Sequence, residues 1–380
     1  MTAPIHSWLV DPIDGDVKKA IRRLARADDV VHVAVMPDVH LAHDVPIGTV
    51  VATNNLVYPQ AVGGDIGCGM TSLRFELHAD AFESANDAAS VLHQLGQRIP
   101  INKHPTTTAA DRLPIELREW SLSAMVLDRL KNRDGRVQLG TLGRGNHFVE
   151  FQADESDCVW ITIHSGSRGM GQAITNHHLE QATASRGGLR YLRTSAAEAQ
   201  QPGDDYINDM RWAVEYATAN RMQMLFAVCE IIGDIFAAEP DEGSLINCHH
   251  NHLVREVHDD RTLWVHRKGA APAAAGETGV IPGSMGTATY HVVGRGCARS
   301  LCSSSHGAGR RLSRTEARRL VRTGSFHESM EHIWFDRRKS NSLREEAPEA
   351  YKDVRKVMRA QKELVKIQRR LRPLLNFKGS

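Results

Sequence analysis

Apolar residues recur along this chain with two different periods, and segments of each kind alternate from one end to the other. Residues 16–27 carry Val17, Ala20, Ile21 and Leu24 at helical spacing and predict a helix. Residues 30–36 are a short apolar run that predicts a strand, ended by Pro37 and followed by a loop holding Asp38 and His40. A strand is expected at 73–77 and a helix at 81–98, then a loop over 102–111 with Pro105 and a run of threonines. The β-branched run at 159–163 predicts a buried strand. Residues 184–204 are polar and predict a flexible insertion. Residues 205–238 read as one long helix, whose first apolar face holds Ile207, Met210, Ala213, Val214 and Ala217. Residues 270–286, rich in Ala, Gly and Pro, predict a loop, and 350–371 predict a final amphipathic helix.

The chain has 380 residues, enough for a substantial core. Composition is that of an ordinary globular protein. The net charge of +2 does not announce a nucleic-acid binder, so any RNA contact must rest on local patches. One such patch is expected on the final helix, from Lys352, Arg355, Lys356, Arg359, Lys362, Lys366, Arg369 and Arg370. The six cysteines show no disulfide-type pattern, which favours a reducing, cytoplasmic setting. The first residues lack the basic-then-apolar pattern of a secretion signal, and no apolar run is long enough to span a bilayer.

Candidate chemistry changes this plain picture. In Val62-Gly-Gly-Asp65-Ile-Gly-Cys68-Gly-Met70 a carboxylate and a thiol lie three residues apart on a glycine-loaded loop. Glycines let such a backbone turn sharply, and that ligand pair suits a borderline cation such as Mn²⁺ or Zn²⁺. Further segments repeat the grammar: Leu142-Gly-Arg144-Gly-Asn146-His147, Ile161-Thr-Ile-His164-Ser-Gly-Ser-Arg168-Gly, Asn247-Cys-His249-His250-Asn-His252 and Ser303-Ser-Ser-His306-Gly307-Ala308-Gly309-Arg310. A lone histidine is usually a satisfied polar residue. Ligand types set beside glycines in five separate loops are hard to explain as packing.

These segments resemble the RtcB family of RNA-splicing ligases, which are GTP- and Mn²⁺-dependent. The likeness runs from Met36-Pro-Asp38-Val-His40 through Arg267-Lys-Gly-Ala270 and Ile281-Pro-Gly-Ser-Met-Gly286 to Lys378-Gly379. The resemblance implies an α+β fold, central β-sheets flanked by helices, which periodicity alone does not give. Ligands spread from residue 65 to residue 306 argue for a single catalytic domain over 1–380. Asp65, Cys68, His147, His164 and His250 are too many ligands for one open catalytic ion. A thiolate can bridge two cations, and a cation pair can clamp a triphosphate. The resemblance implies one Mn²⁺ on Asp65, Cys68 and His147 and another on Cys68, His164 and His250, with His249 and His252 outside the set.

It also implies that His306 becomes guanylylated, since an imidazole nitrogen can attack the α-phosphorus of GTP. Asn146 would meet phosphates, Glu150 the guanine edge and Lys378 a base oxygen, while Tyr351 would stack on the base. Gly307, Ala308 and Gly309 would let the backbone approach, and Thr289 stands where the family often has serine. Arg144, Arg168 and Arg310 would hold RNA or nucleotide phosphates. The implied activity joins RNA 2′,3′-cyclic phosphate or 3′-phosphate ends to 5′-hydroxyl ends, in tRNA splicing or RNA repair. A monomer, with an archease-like activator as a possible partner, completes the expectation. The alternatives are a dinuclear metallo-phosphodiesterase working without GTP and a non-catalytic RNA-binding module. The chain has neither a Walker-type P-loop nor a Lys-x-Asp-Gly nucleotidylation motif.

Overall fold

A computed structural model describes residues 2–106, 113–195 and 200–379. Two antiparallel-rich sheets carry the architecture. The larger has seven strands in the order Pro240–His249, Gly69–His78, Cys158–Ser165, Phe148–Ala153, Val365–Lys378, Thr289–Gly294 and Thr278–Ile281. Every neighbouring pair in it is antiparallel. The smaller has five: Ile5–Ser7, Val30–His40, Ile47–Thr53, Arg261–Lys268 and Asn251–His258. With the surrounding helices this is the α+β class the resemblance implied.

The long helix, Pro202–Phe236, follows from local chemistry at both ends. Pro202 sits where a missing N–H costs nothing, Gln201 and Asp204 form a capping box, and Ala237 closes the end in the left-handed region at φ 52°. Its Met224, Leu225, Val228, Ile231 and Ile232 pack on Phe75, Phe151, Ile161 and Ile163 of the large sheet. The helix Ala85–Arg98, capped by Ser84, adds Val91 and Leu95 to this core. The first helix runs Gly15–Leu24 and is capped by Asp14.

Several expectations are corrected. Pro37 does not end its strand, which continues to His40 and so carries Asp38. The ladder shifts register between Val35 and His40, an irregularity that tolerates a residue without an N–H. The final amphipathic helix over 350–371 does not exist as such. A short helix, Val354–Ala360, is followed by the strand Val365–Lys378, paired on both sides within the large sheet. Lys, Arg, Gln and Leu favour helix locally, but long-range pairing overrides a propensity worth tenths of a kcal/mol per residue. Pro373, at a second register shift, was the local sign against a helix.

The expected basic residues therefore do not share one helical face, and three of them are engaged by the protein itself. Lys352 donates to the carbonyls of Pro37 and Val39, Arg355 pairs with Asp353, and Arg369 lies 4.4 Å over the Trp160 ring. Residues 270–286 include the strands Ala270–Pro272 and Thr278–Ile281. Residues 184–204 contribute to a three-stranded sheet through Arg190–Arg193. Parts of the 102–111 and 184–204 expectations, at 107–111 and 196–199, lie outside the described residues.

Candidate metal centre and nucleotide pocket

Antiparallel pairing brings alternate strand starts and ends to one edge of the large sheet. Gly69 lies opposite Ser165 and His249, and His164 lies opposite both Met70 and Phe148. Cys68 precedes one strand, His147 precedes another, His164 is near the end of a third, and His250 follows a fourth. The four side chains therefore converge from four places in the sequence. The Cys68 Sγ is 3.5 Å from His147 Nε2 and 3.2 Å from His164 Nε2. His164 Nε2 is 3.3 Å from His250 Nε2, and Asp65 Oδ2 is 3.0 Å from His147 Nε2. Donor atoms of Asp65, Cys68 and His147 lie within 4.8 Å of one another, as do those of Cys68, His164 and His250.

The tautomers show that this arrangement fits cations. His147 Nδ1 donates to the Leu142 carbonyl at 2.9 Å, and His164 Nδ1 donates to that of Asn146 at 3.1 Å. In the neutral form of each ring Nε2 carries a lone pair, and the two nitrogens face a thiol sulfur, a carboxylate and another imidazole. Lone pairs aimed at one another repel unless positive charge lies between them. Backbone carbonyls on the far ring nitrogen are the usual support for a ligating histidine. Burial, followed by neighbouring imidazoles, holds His164 and His250 well below the ordinary histidine range, so both rings stay neutral and able to ligate. Burial, followed by Asp65, pushes the Cys68 thiol well up, so a thiolate there needs a cation beside it.

Two residues of the long helix hold the ligand loops together. Asn220 accepts from the N–H groups of Gly140 and Thr141 at 2.7 and 3.1 Å and donates to the Gly166 carbonyl at 3.3 Å. Arg221 donates to the carbonyls of Gly67 and Ser165 at 2.9 and 3.0 Å and to Asn247 at 2.8 Å. Both are fully buried. Gly67 permits the approach: at φ +70°, a Cβ there would stand 2.8 Å from Val214 Cα of the helix.

His306 stands beside this cluster, its ring centroid 4.7 Å from that of His250. It follows the strand Ser303–Ser305, which pairs with Ala270–Pro272. Its Nδ1 lies 2.6 Å from Asp38 Oδ2, and its backbone N–H donates to the same oxygen at 3.2 Å. Asp38 is wholly buried. With Nδ1–H directed at a carboxylate, Nε2 is the free, nucleophilic nitrogen.

The cavity beyond His306 is lined by Asn146, Glu150, Tyr351 and Lys378 together with Gly307, Ala308 and Gly309. Glu346, equally buried, accepts from the Tyr351 hydroxyl at 2.5 Å, from Lys378 at 3.1 Å and from Arg310 at 2.9 Å. Arg310 lies 5.0 Å over the Tyr351 ring and also donates to the carbonyls of Leu312 and Glu345, so its guanidinium is committed to the wall. Thr289 lies behind the wall, accepting from Gln152, which also donates to Glu150. Arg168 stands beside the metal cluster, 3.4 Å from His147 Nδ1, and Arg144 is exposed on the loop before His147. His249 faces Arg221 and His252 faces Arg267, both apart from the two ligand groups. Sequence reading missed Asp38, Glu346, Asn220 and Arg221 as site residues. Only Asp38 left a sign, as a polar residue closing an apolar strand.

Two groups of candidate ligands share one thiol and stand against a cavity with a carboxylate-oriented histidine, an arrangement suited to metal-assisted chemistry. The family described as "tRNA-splicing ligase RtcB" matches residues 20–379. The chain is 36% identical over 410 residues to RNA-splicing ligase RtcB1 of Escherichia coli, covering 99% of this chain and 98% of that protein. It is 31% identical over 420 residues to RNA-splicing ligase RtcB of Mycobacterium tuberculosis, covering 90% and 96%. It is 31% identical over 401 residues to tRNA-splicing ligase RtcB of Pyrobaculum aerophilum, covering 86% and 83%. The chain belongs to the RtcB family. Among the described residues no helix is long and apolar enough to cross a membrane.

Proposed function

We propose that this protein is a GTP-dependent RNA ligase, one catalytic domain that joins 2′,3′-cyclic phosphate or 3′-phosphate ends to 5′-hydroxyl ends. The observation that carries the reading is His306, its Nδ1 committed to Asp38, standing against the shared-thiol ligand cluster. Asp65, Cys68 and His147 would hold one Mn²⁺, and Cys68, His164 and His250 the other. Bound there, the ions supply charge stabilisation at the phosphates. The Nε2 of His306 attacks the α-phosphorus of GTP. An N–P bond forms, the α–β P–O bond breaks, and pyrophosphate leaves. Asp38 stabilises the positive charge that develops on the ring. Water opens a cyclic end to a 3′-phosphate, whose oxygen then takes the guanylyl group as the N–P bond breaks. The 5′-hydroxyl oxygen attacks the activated phosphorus, loses its proton and displaces GMP. Glu150, Tyr351 and Lys378 bind the base, and Asn146 and residues 307–309 bind the phosphates. Arg144 and Arg168 bind phosphates, whereas Arg310 braces Tyr351 and Glu346.

The test is incubation with labelled GTP, Mn²⁺ and RNA bearing a 3′-phosphate and a 5′-hydroxyl. Joined RNA and released GMP are expected. Processing of RNA ends with no use of GTP would indicate the phosphodiesterase instead. Imidazole and thiolate ligands favour Zn²⁺ by affinity, whereas a triphosphate reaction needs labile, expandable coordination. Ligation is therefore expected with Mn²⁺, with inhibition by excess Zn²⁺ in a metal titration. Full activity with Mg²⁺ alone would contradict the ligand assignment.

Glu150 gives a pH prediction. Burial raises its carboxyl to about 8, against the pull of Gln152, Asn376 and Lys378. A guanine edge presents N–H donors and requires the carboxylate. Binding therefore expels a proton, and affinity must rise with pH until about 8 and then level off. Between about pH 6 and 8 the Kd for GTP should fall by roughly tenfold or more relative to that for ATP, which controls for triphosphate titration. Glu150→Gln should flatten the difference. Equal pH profiles for the two nucleotides would remove Glu150 from the guanine site.

A further inference from the structure

A groove runs between the helix Ala85–Arg98, the segment 99–103 and the segment 334–339. His93, Lys103, Arg337, Arg338 and Lys339 line it, against one acid, Asp336, which Arg338 already pairs at 2.8 Å. Among the described residues Lys103, Arg337 and Lys339 form no direct ion pair with a carboxylate, although Lys103 is near enough to Asp134, and Lys339 to Asp336, to help Arg133 and Arg338 hold those carboxyls down. Lys339 instead lies 6.0 Å over the Phe377 ring in the groove wall. Arg98, at the end of the helix beside the groove, is by contrast neutralised by Glu230 and Asp234. In a chain whose net charge is only +2, unpaired cations gathered along a concavity make a local field.

The groove adjoins the candidate site. At its floor the Pro100 and Ile101 carbonyls accept from the N–H groups of Leu142 and Gly143, at 3.0 and 2.9 Å. Gly143 opens the loop that carries exposed Arg144 and the ligand His147. Phe377 lines the groove, while Asn376 and Lys378 on either side of it line the nucleotide cavity, as alternation along a strand requires. The two concavities thus lie on opposite faces of one strand end, and an RNA strand leaving the cavity reaches the groove around that end.

We propose that this groove is the track for single-stranded RNA leading to the reacting end, held by phosphate contacts from Lys103, Arg337 and Lys339. The proposal rests on the ligase reading for its occupant. Three exposed or half-exposed cations offer point charges to phosphates rather than a matched set of groups for base edges, so binding there is independent of sequence.

The test compares the full chain with a variant carrying Lys103→Ala, Arg337→Ala and Lys339→Ala. A control carries Lys18→Ala, Arg22→Ala and Arg26→Ala, which removes the same charge from exposed positions on and just after the first helix. The probe is a labelled single-stranded RNA ending in a 3′-phosphate, titrated over a range of salt. The groove variant should bind RNA on the order of tenfold or more weakly, and its slope of log affinity against log salt should be shallower by about 2, at ~0.7 per lost phosphate contact. Protein–GMP labelling should match wild type within about twofold, which shows that the variant is folded and its centre intact. Unchanged RNA affinity and salt slope overturn the proposal, and would leave the groove to some other partner such as an acidic protein segment. An equal loss in the control overturns it too, because net charge alone would then account for the effect. If the wild-type protein fails to label with GTP, the ligase reading fails, while the RNA titration still decides the groove.

Discussion

Cys68→Ala should lose both metals at once and abolish guanylylation and ligation while the protein stays folded. The thiol belongs to both ligand groups, with its sulfur 3.5 Å from one imidazole nitrogen and 3.2 Å from another. Removing any other ligand leaves one group whole. Removing Cys68 leaves each group with two donors, too few to hold a catalytic ion against water. Loss of metal charge stabilisation is worth several kcal/mol, so protein–GMP labelling should fall by on the order of 10³-fold. The fold should survive, because replacing one small buried side chain by another opens little space and the loop is held by Arg221 and Asn251 rather than by sulfur. Mn²⁺ stoichiometry by elemental analysis, with circular dichroism as the folding control, decides the matter. Normal stoichiometry in the variant would rule out a shared thiolate.

His306→Ala should behave in the opposite way. Its ring is bound to Asp38 and belongs to neither ligand group, so the variant should keep both metals and bind GTP with near wild-type affinity. It should form no protein–GMP, a loss of on the order of 10⁴-fold or more, since no other nitrogen replaces the nucleophile. Supplied with RNA whose 3′-phosphate already carries GMP, it should nevertheless seal the strand at a rate within about tenfold of wild type, because the last displacement uses the hydroxyl of the RNA and the metal centre. Sealing is followed on a gel. Labelling of the variant by GTP would show that His306 is not the nucleophile. Failure to seal activated RNA with both metals intact would show that the imidazole also serves the last step.

The ligand loops were legible because each writes its chemistry locally: a ligand-type side chain beside glycines, after or before a run of strand type. The structure places Asp65, Cys68 and His147 together, and Cys68, His164 and His250 together, as two groups that could hold a metal ion. What sequence reading missed depends on distance along the chain. Asp38 and His306 are 268 residues apart, and nothing at either position reports the 2.6 Å contact between them. Glu346 lies in a mixed-charge stretch, yet it is the buried anion that three wall residues share. Asn220 and Arg221 read as polar interruptions of a long helix until the loops that they clamp are known. The C-terminal segment misled for the same reason: its composition favours helix, and only the facing strands Phe148–Ala153 and Thr289–Gly294 make it a strand. The basic residues assigned to that helix fall instead on a short helix, a strand and their flanks. The unpaired cations of the groove came from residues separated by more than two hundred positions, which no local pattern joins.

The central claim is that the guanylyl group passes through His306. Its most direct test is to incubate the protein with GTP and Mn²⁺, digest it without acid, and map the GMP adduct by mass spectrometry, before and after adding RNA with a 3′-phosphate and a 5′-hydroxyl. The account predicts one acid-labile adduct, on the His306 imidazole, that disappears as joined RNA forms. Joined RNA without any covalent protein–GMP, or an adduct on a lysine or another histidine that RNA discharges, would contradict it.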